Sequence, residues 1–206
     1  NFAYNDCATP GPSCGSTGYD LSYPMEITAF DPEFHHADNS YNDIDFAAMT
    51  DSYVLLNGRG YPDTANPCGA SAYPAPSPGY PACTTPLVNV LGVQSQPTSS
   101  LVTAQRGQKI LLRIPSLATS EFYTLTMLGL PMQVVGQGAR QLKGPTGLTY
   151  YYDTNSITLG GGEANDILVD TSGATPGTYF LYSSNLNYLS NDSQDFGGPM
   201  TEIVVQ

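Results

Sequence analysis

Short runs of alternating apolar and polar residues, broken by Gly, Pro, Asn and Asp, recur from the middle of the chain to its end. "KILLRIPSL", "EFYTLTMLGL", "MQVVGQ", "NDILVDT", "GTYFLYSS" and "MTEIVVQ" alternate with period two, which puts every second side chain of a strand on one face. Upstream, "YPMEITAF" (residues 23–30) predicts a strand with Met25, Ile27 and Ala29 on one face, and "SYVLLNGRGYPDT" predicts a short strand ending in an Asn-Gly turn. No apolar stripe of period 3.6 runs long enough to predict a helix of useful length. Short strands at regular spacing with turn chemistry between them predict an all-β, Greek-key β-sandwich. In this reading residues 1–22 form a loop-rich N-terminal arm, residues 23–206 form the sandwich, and residues 62–86 form a Pro-rich loop inserted into it.

Charge narrows the partners. Six basic against eighteen acidic residues give a net charge of −12, which repels phosphate backbones and anionic membrane surfaces, so nucleic acid is not an expected partner. No run of about 18 apolar residues offers a membrane span. Four cysteines lie in loop sequence: Cys7 and Cys14 flank a Pro/Gly turn, and Cys68 and Cys83 bound "GASAYPAPSPGYPA". They suit two disulfides. Three pairings are possible, and Cys7–Cys14 with Cys68–Cys83 closes the shortest loops. With few charged residues and many Tyr, Ser, Thr, Asn and Gly, this places the chain in an oxidising, extracellular setting, secreted or at the cell surface. The first residues lack a charged-then-apolar leader, as expected of a secreted chain whose signal has been removed.

The pieces "YVLLNGRGYPDT", "AQRGQKILLRIPSL", "LGLPMQVVGQGARQL", "TNSITLGGGEANDILVD", "PGTYFLYSSNLNYLS" and "GGPMTEIVV" follow one another in the order and rough spacing of a cupredoxin domain. Over roughly residues 53–205 the chain resembles such a domain of the multicopper oxidase family. The resemblance implies a copper-bearing closing strand reading His-Cys-His, then a further His and an axial Met, because thiolate and imidazole hold copper in electron-transfer geometry. At those positions stand Tyr182, Ser183 and Ser184, with Tyr188 near the later histidine, and the family's His-x-His falls within "YTLTML". Met200 has no thiolate to complete a site and is expected to pack. The chain therefore resembles a copper-free middle domain, and no copper and no catalytic residue are expected on it.

Other chemistry is sparse. His35 and His36 are adjacent, and neighbouring side chains on extended backbone point apart, so both are expected as exposed loop residues. Ser183 and Ser184 lie mid-strand without a G-x-S-x-G elbow. The run at 160–162 lacks the Lys-Ser/Thr of a phosphate loop and reads as a turn. Two acidic clusters, Asp38, Asp43 and Asp45 with Asn39, and Asp192 and Asp195 with Asn191, offer hard oxygens for calcium but lack the spacing of a 12-residue calcium loop. Asn191, Asp192 and Ser193 form an N-glycosylation sequon.

Fifteen tyrosines and no tryptophan fit contacts with another extracellular protein or with carbohydrate. Two functional classes follow. The chain is a self-associating structural module, with its arm and its last strand as contacts and a filament as one outcome, or it is the middle domain of an oxidase whose copper lies elsewhere.

Overall fold

The computed structural model describes residues 1–6, 14–66, 96 and 98–206. Two sheets face each other. The larger is built from β1 (Leu21–Pro24), β2 (Ile27–Phe30), β3 (Tyr53–Leu56), β5 (Lys109–Leu117), β7 (Met132–Gln137), β8 (Arg140–Gln141), β9 (Tyr152–Thr154) and β11 (Ala164–Asp170). The smaller holds β4 (Val102–Ala104), β6 (Tyr123–Met127), β10 (Ser156–Leu159), β12 (Gly177–Ser183) and β13 (Met200–Val205). The large sheet runs β3-β2-β5-β11-β7-β8, with β1 beside β5 and β9 beside β7; the small one runs β10-β6-β12-β13-β4.

Alternation decides what lies between the sheets. Met25, Ile27, Ile110, Leu112 and Ile114 from the large sheet meet Leu125, Met127, Leu181, Ile203 and Val205 from the small one, all essentially inaccessible to solvent. The expected strand at 23–30 is interrupted: β1 and β2 are separate strands, both parallel to β5, yet Met25, Ile27 and Ala29 are all buried as their spacing predicts. The Asn-Gly turn after β3 is present, with Asn57 and Gly58 both at positive φ (51° and 75°), the geometry of a tight hairpin turn. The run at 160–162 is the turn from β10 to β11, and a Cβ on Gly161 would lie 2.2 Å from the Ala118 carbonyl oxygen.

Several strands carry more apolar residues than alternation needs. Leu111, Val135 and Leu168 project to the outer face of the large sheet, yet they are buried in a second cluster under Ala3, Tyr4, Tyr19 and Tyr151. The cover comes from the segment expected as a free arm. Asn1–Tyr19 and Ala3–Thr17 backbone hydrogen bonds fold it on itself, the Tyr4 hydroxyl donates to Asp166, and Gly136 leaves room for the Tyr4 ring. Tyr23 is a core residue whose hydroxyl donates to the Thr103 carbonyl (3.0 Å). The described parts of residues 1–22 thus serve their own sheet, because three outward apolar side chains gain more from this cover than a polar arm gains in water.

Among the described residues one α-helix interrupts the strands. Pro32–Asn39 forms α1, where the sequence reading expected none. Its stability is local: the Asp31 side chain accepts from the Glu33 and Phe34 amides, Pro32 opens the first turn and Glu33 faces the positive end of the helix. A capped helix of about two turns needs no long apolar stripe.

Candidate functional site

Antiparallel pairing of β12 with β6 brings the two sets of positions that would carry copper ligands to one end of the sandwich. Ser183 lies opposite Leu125 and Tyr182 opposite Thr126, and the Ser184 amide donates to the Thr124 carbonyl (2.9 Å). The turn Leu186–Leu189 then swings Tyr188 back over the same end, where its ring meets Tyr123 edge-on with centroids 5.0 Å apart.

A carboxylate sits at the centre of this pole. Asp51, 8% exposed, accepts at Oδ2 from the Tyr123 hydroxyl (3.0 Å), the Ser120 amide (3.1 Å) and the Thr119 amide (3.4 Å), while Oδ1 takes the Thr119 hydroxyl. Burial alone would push the Asp51 carboxyl up, but the hydrogen bonds from Thr119, Ser120 and Tyr123 outweigh it and hold the group below its ordinary range. The Tyr123 phenol is driven the other way, by burial and then by the Asp51 charge. The pair therefore stands as carboxylate and neutral phenol.

The residues at this pole do not fit copper. Ser183 is fully buried with its hydroxyl given to the Asn185 carbonyl (3.0 Å), and Thr124 shares a hydrogen bond with Thr158 (2.8 Å). Asp51 already accepts four donors, and burial holds the Tyr123 and Tyr188 phenols neutral. Among the described residues no thiolate or imidazole stands at the pole, and hydroxyl and carboxylate oxygens are a poor set for the soft geometry of a copper electron-transfer site. Met200 is half-buried, as a packing residue.

The remaining sequence candidates disperse. His35 and His36 are exposed as expected but lie on α1, where His35 is edge-on to Phe30. Asp38 belongs to α1, Asp43 and Asp45 to the segment after it, and Asp192 and Asp195 to the loop before β13; all five are exposed. Among the described residues no group of three or more His, Cys, Asp or Glu side chains is placed to hold a metal ion. The sequon asparagine is structural: Asn191 is 2% exposed, and its Oδ1 accepts from the Val54 and Gly198 amides (3.2 Å each). Cys14 is in a disulfide, whereas Cys7, Cys68, Cys83 and most of the Pro-rich loop lie outside the described residues.

Asp51, Thr119 and Tyr123 were missed by the sequence reading. No local pattern marks them, since the contacts span 68 to 72 residues of chain.

Comparison with known proteins agrees with this fold. Solved structures similar to this chain include a multicopper oxidase, mgLAC, at 14% identity and a TM-score of 0.63, covering 97% of this chain and 47% of that one. The blue copper oxidase from Nitrosomonas europaea is similar at 14% identity and a TM-score of 0.61, covering 96% and 47%. A laccase from Botrytis aclada is similar at 16% and 0.53, covering 90% and 29%. The chain thus spans about half the length, or less, of these structures. No curated protein matches it. The family model described as Multicopper oxidase matches residues 29–206, and the chain belongs to that family.

Proposed function

We propose that this chain is a copper-free cupredoxin module of the multicopper oxidase family that serves outside the cell as a structural, self-associating unit rather than as a redox enzyme. One observation carries the reading: the positions for copper ligands hold Tyr182, Ser183, Ser184 and Tyr188, with the Ser183 hydroxyl given to the Asn185 carbonyl and the Tyr188 ring packed on Tyr123, which donates to Asp51. The extracellular setting rests on the cysteine-bearing loops and the acidic, tyrosine-rich composition. Self-association through a head-to-tail contact gives a closed ring or, where the rotation does not close, an open filament. Copper titration of the purified chain tests the central claim. The expected result is no band near 600 nm, roughly where copper–thiolate sites absorb, and no copper retained after dialysis; an intense blue species refutes it.

A second reading is favoured by length. The chain covers 47% of the two most similar oxidases described above, so it also suits one domain of a larger oxidase whose copper lies on other domains. The intact mass of the native species separates the two: a mass equal to these 206 residues supports the module, a much larger one supports the oxidase.

A further inference from the structure

Asn191 spends only half of its side chain on the fold. Its Oδ1 accepts from the Val54 and Gly198 amides, and since only an oxygen can take two N–H donors, the other end is the NH₂ group. That Nδ2 has no acceptor among the described residues, and it is not sealed in the core either. It opens on a pocket of about 300 Å³ formed by β3, residues 60–63 and the loop before β13. Gly60 makes the opening, since a Cβ there would lie 2.7 Å from Nδ2.

The rest of the lining is of two kinds. Tyr53, Tyr61 and Phe196 bring aromatic rings: Tyr53 is stacked on Phe30 (centroids 5.2 Å apart, 13° between planes), Tyr61 is tied by its hydroxyl to Glu202 (3.2 Å), and Phe196 is 70% exposed. Gln194 and Asp63, both exposed, add an amide and a carboxylate. None of the lining residues is basic.

We propose that this pocket binds an uncharged sugar ring. It shares no residue with the pole around Asp51, and it does not depend on whether the chain self-associates.

Chemistry selects the class. An anion is repelled by Asp63 and by the net charge of −12. A cation meets the positive end of the Asn191 amide and leaves that donor unpaired, as does a purely apolar ligand. A sugar ring answers each group. One hydroxyl oxygen accepts from Nδ2, other hydroxyls donate to the Asp63 carboxylate and the Gln194 amide oxygen, and the C–H face of the ring packs on the negative face of an aromatic ring. Volume agrees, because about 300 Å³ is the lower end of the range for small-ligand sites.

Titration calorimetry of the full chain against glucose, mannose, galactose and N-acetylglucosamine, with glucuronate as the anion and choline as the cation, tests this. The expected result is saturable binding of at least one neutral sugar with a dissociation constant on the order of 1 mM, as suits a ring of about a dozen heavy atoms, and no binding of glucuronate. Phe196→Ala removes an aromatic face and should weaken the sugar about fivefold. Asn191→Asp keeps the oxygen that Val54 and Gly198 need but replaces the free donor, and should weaken it about tenfold. Tyr150→Ala, at an exposed tyrosine beside β9 and across the large sheet from β3, should leave binding unchanged. Circular dichroism checks that each variant folds, and Phe196→Ala, at an exposed side chain, carries the test if Asn191→Asp does not. Sugar binding that neither variant weakens lies elsewhere and overturns the proposal, and so does the absence of any sugar binding at millimolar concentration. Choline bound instead of sugar, and lost in Phe196→Ala, would make the pocket an aromatic cage for cations and overturn the assigned ligand. None of these results touches the copper titration or the intact mass, so failure here leaves the proposed function standing.

Discussion

Replacing Asp51 by alanine isolates what closes the pole of the sandwich. The Thr119 and Ser120 groups that donate to the carboxylate are exposed, so water can take the place of Asp51 there at a cost of about 1 kcal/mol in total. Tyr123 cannot be rescued in this way. Its side chain is fully buried, and an unsatisfied buried hydroxyl costs about 1–3 kcal/mol, so Asp51→Ala should destabilise the protein by about 2–4 kcal/mol. Tyr123→Phe removes the donor and costs about 1 kcal/mol. On the phenylalanine background the orphan no longer exists, so Asp51→Ala should then cost only about 1 kcal/mol, a coupling of about 1–3 kcal/mol. Urea unfolding followed by far-ultraviolet circular dichroism on the four proteins measures it.

Acid adds an independent readout. The folded-state pKa of Asp51 is depressed below its ordinary value of 3.8, so its stabilisation is present above the unfolded pKa and is lost as pH falls through the folded one. The gap between wild type and Asp51→Ala should be constant near neutrality and should shrink below about pH 4. Costs that add to within about 0.5 kcal/mol, or a gap unchanged down to strong acid, would refute the network as the element holding this pole.

Four further outcomes follow from separate parts of the structure. Asp31→Ala removes the α1 cap and the acceptor of the Thr50 amide, so hydrogen exchange of the α1 amides should quicken, consistent with a local loss of about 1 kcal/mol. Gly136→Ala places a methyl 2.0 Å from the Tyr4 hydroxyl; the tyrosine should be displaced, and limited proteolysis should cut within the first twenty residues while the sandwich core stays intact. Asn191→Ala leaves the buried Val54 and Gly198 amides without their acceptor and should cost about 2–4 kcal/mol in denaturant unfolding, whereas an exposed sequon asparagine would cost almost nothing. Copper titration should leave the chain colourless near 600 nm, roughly the range of copper–thiolate absorption.

What could be read from sequence alone follows the range of the interactions. Period-two spacing reports only on near neighbours, and it located β5, β6, β7, β11, β12 and β13 because each of those strands has one face in a common core. The same rule undervalued α1, whose signal is a cap of three or four residues, Asp31-Pro32-Glu33, rather than a stripe. Position in a familiar order of strands located the pole, since Tyr182, Ser183, Ser184 and Tyr188 converge with β6 as that order implies. Asp51 was invisible by either route. An acid in "MTDSYVLL" looks like a solvated residue, and only the return of "ATSEFY" about seventy residues later supplies its donors.

The apolar residues in excess of alternation were legible in a different sense. Leu111, Val135 and Leu168 break the pattern of their strands, and each break is answered by a covering side chain from residues 1–19 or from Tyr151. An outward apolar residue in a strand is thus a statement that something lies over it. Phe180 and Leu128 make the same statement on the other sheet, and no described residue of this chain answers it. The described first residues, already spent on the large sheet, are not the part that would cover it.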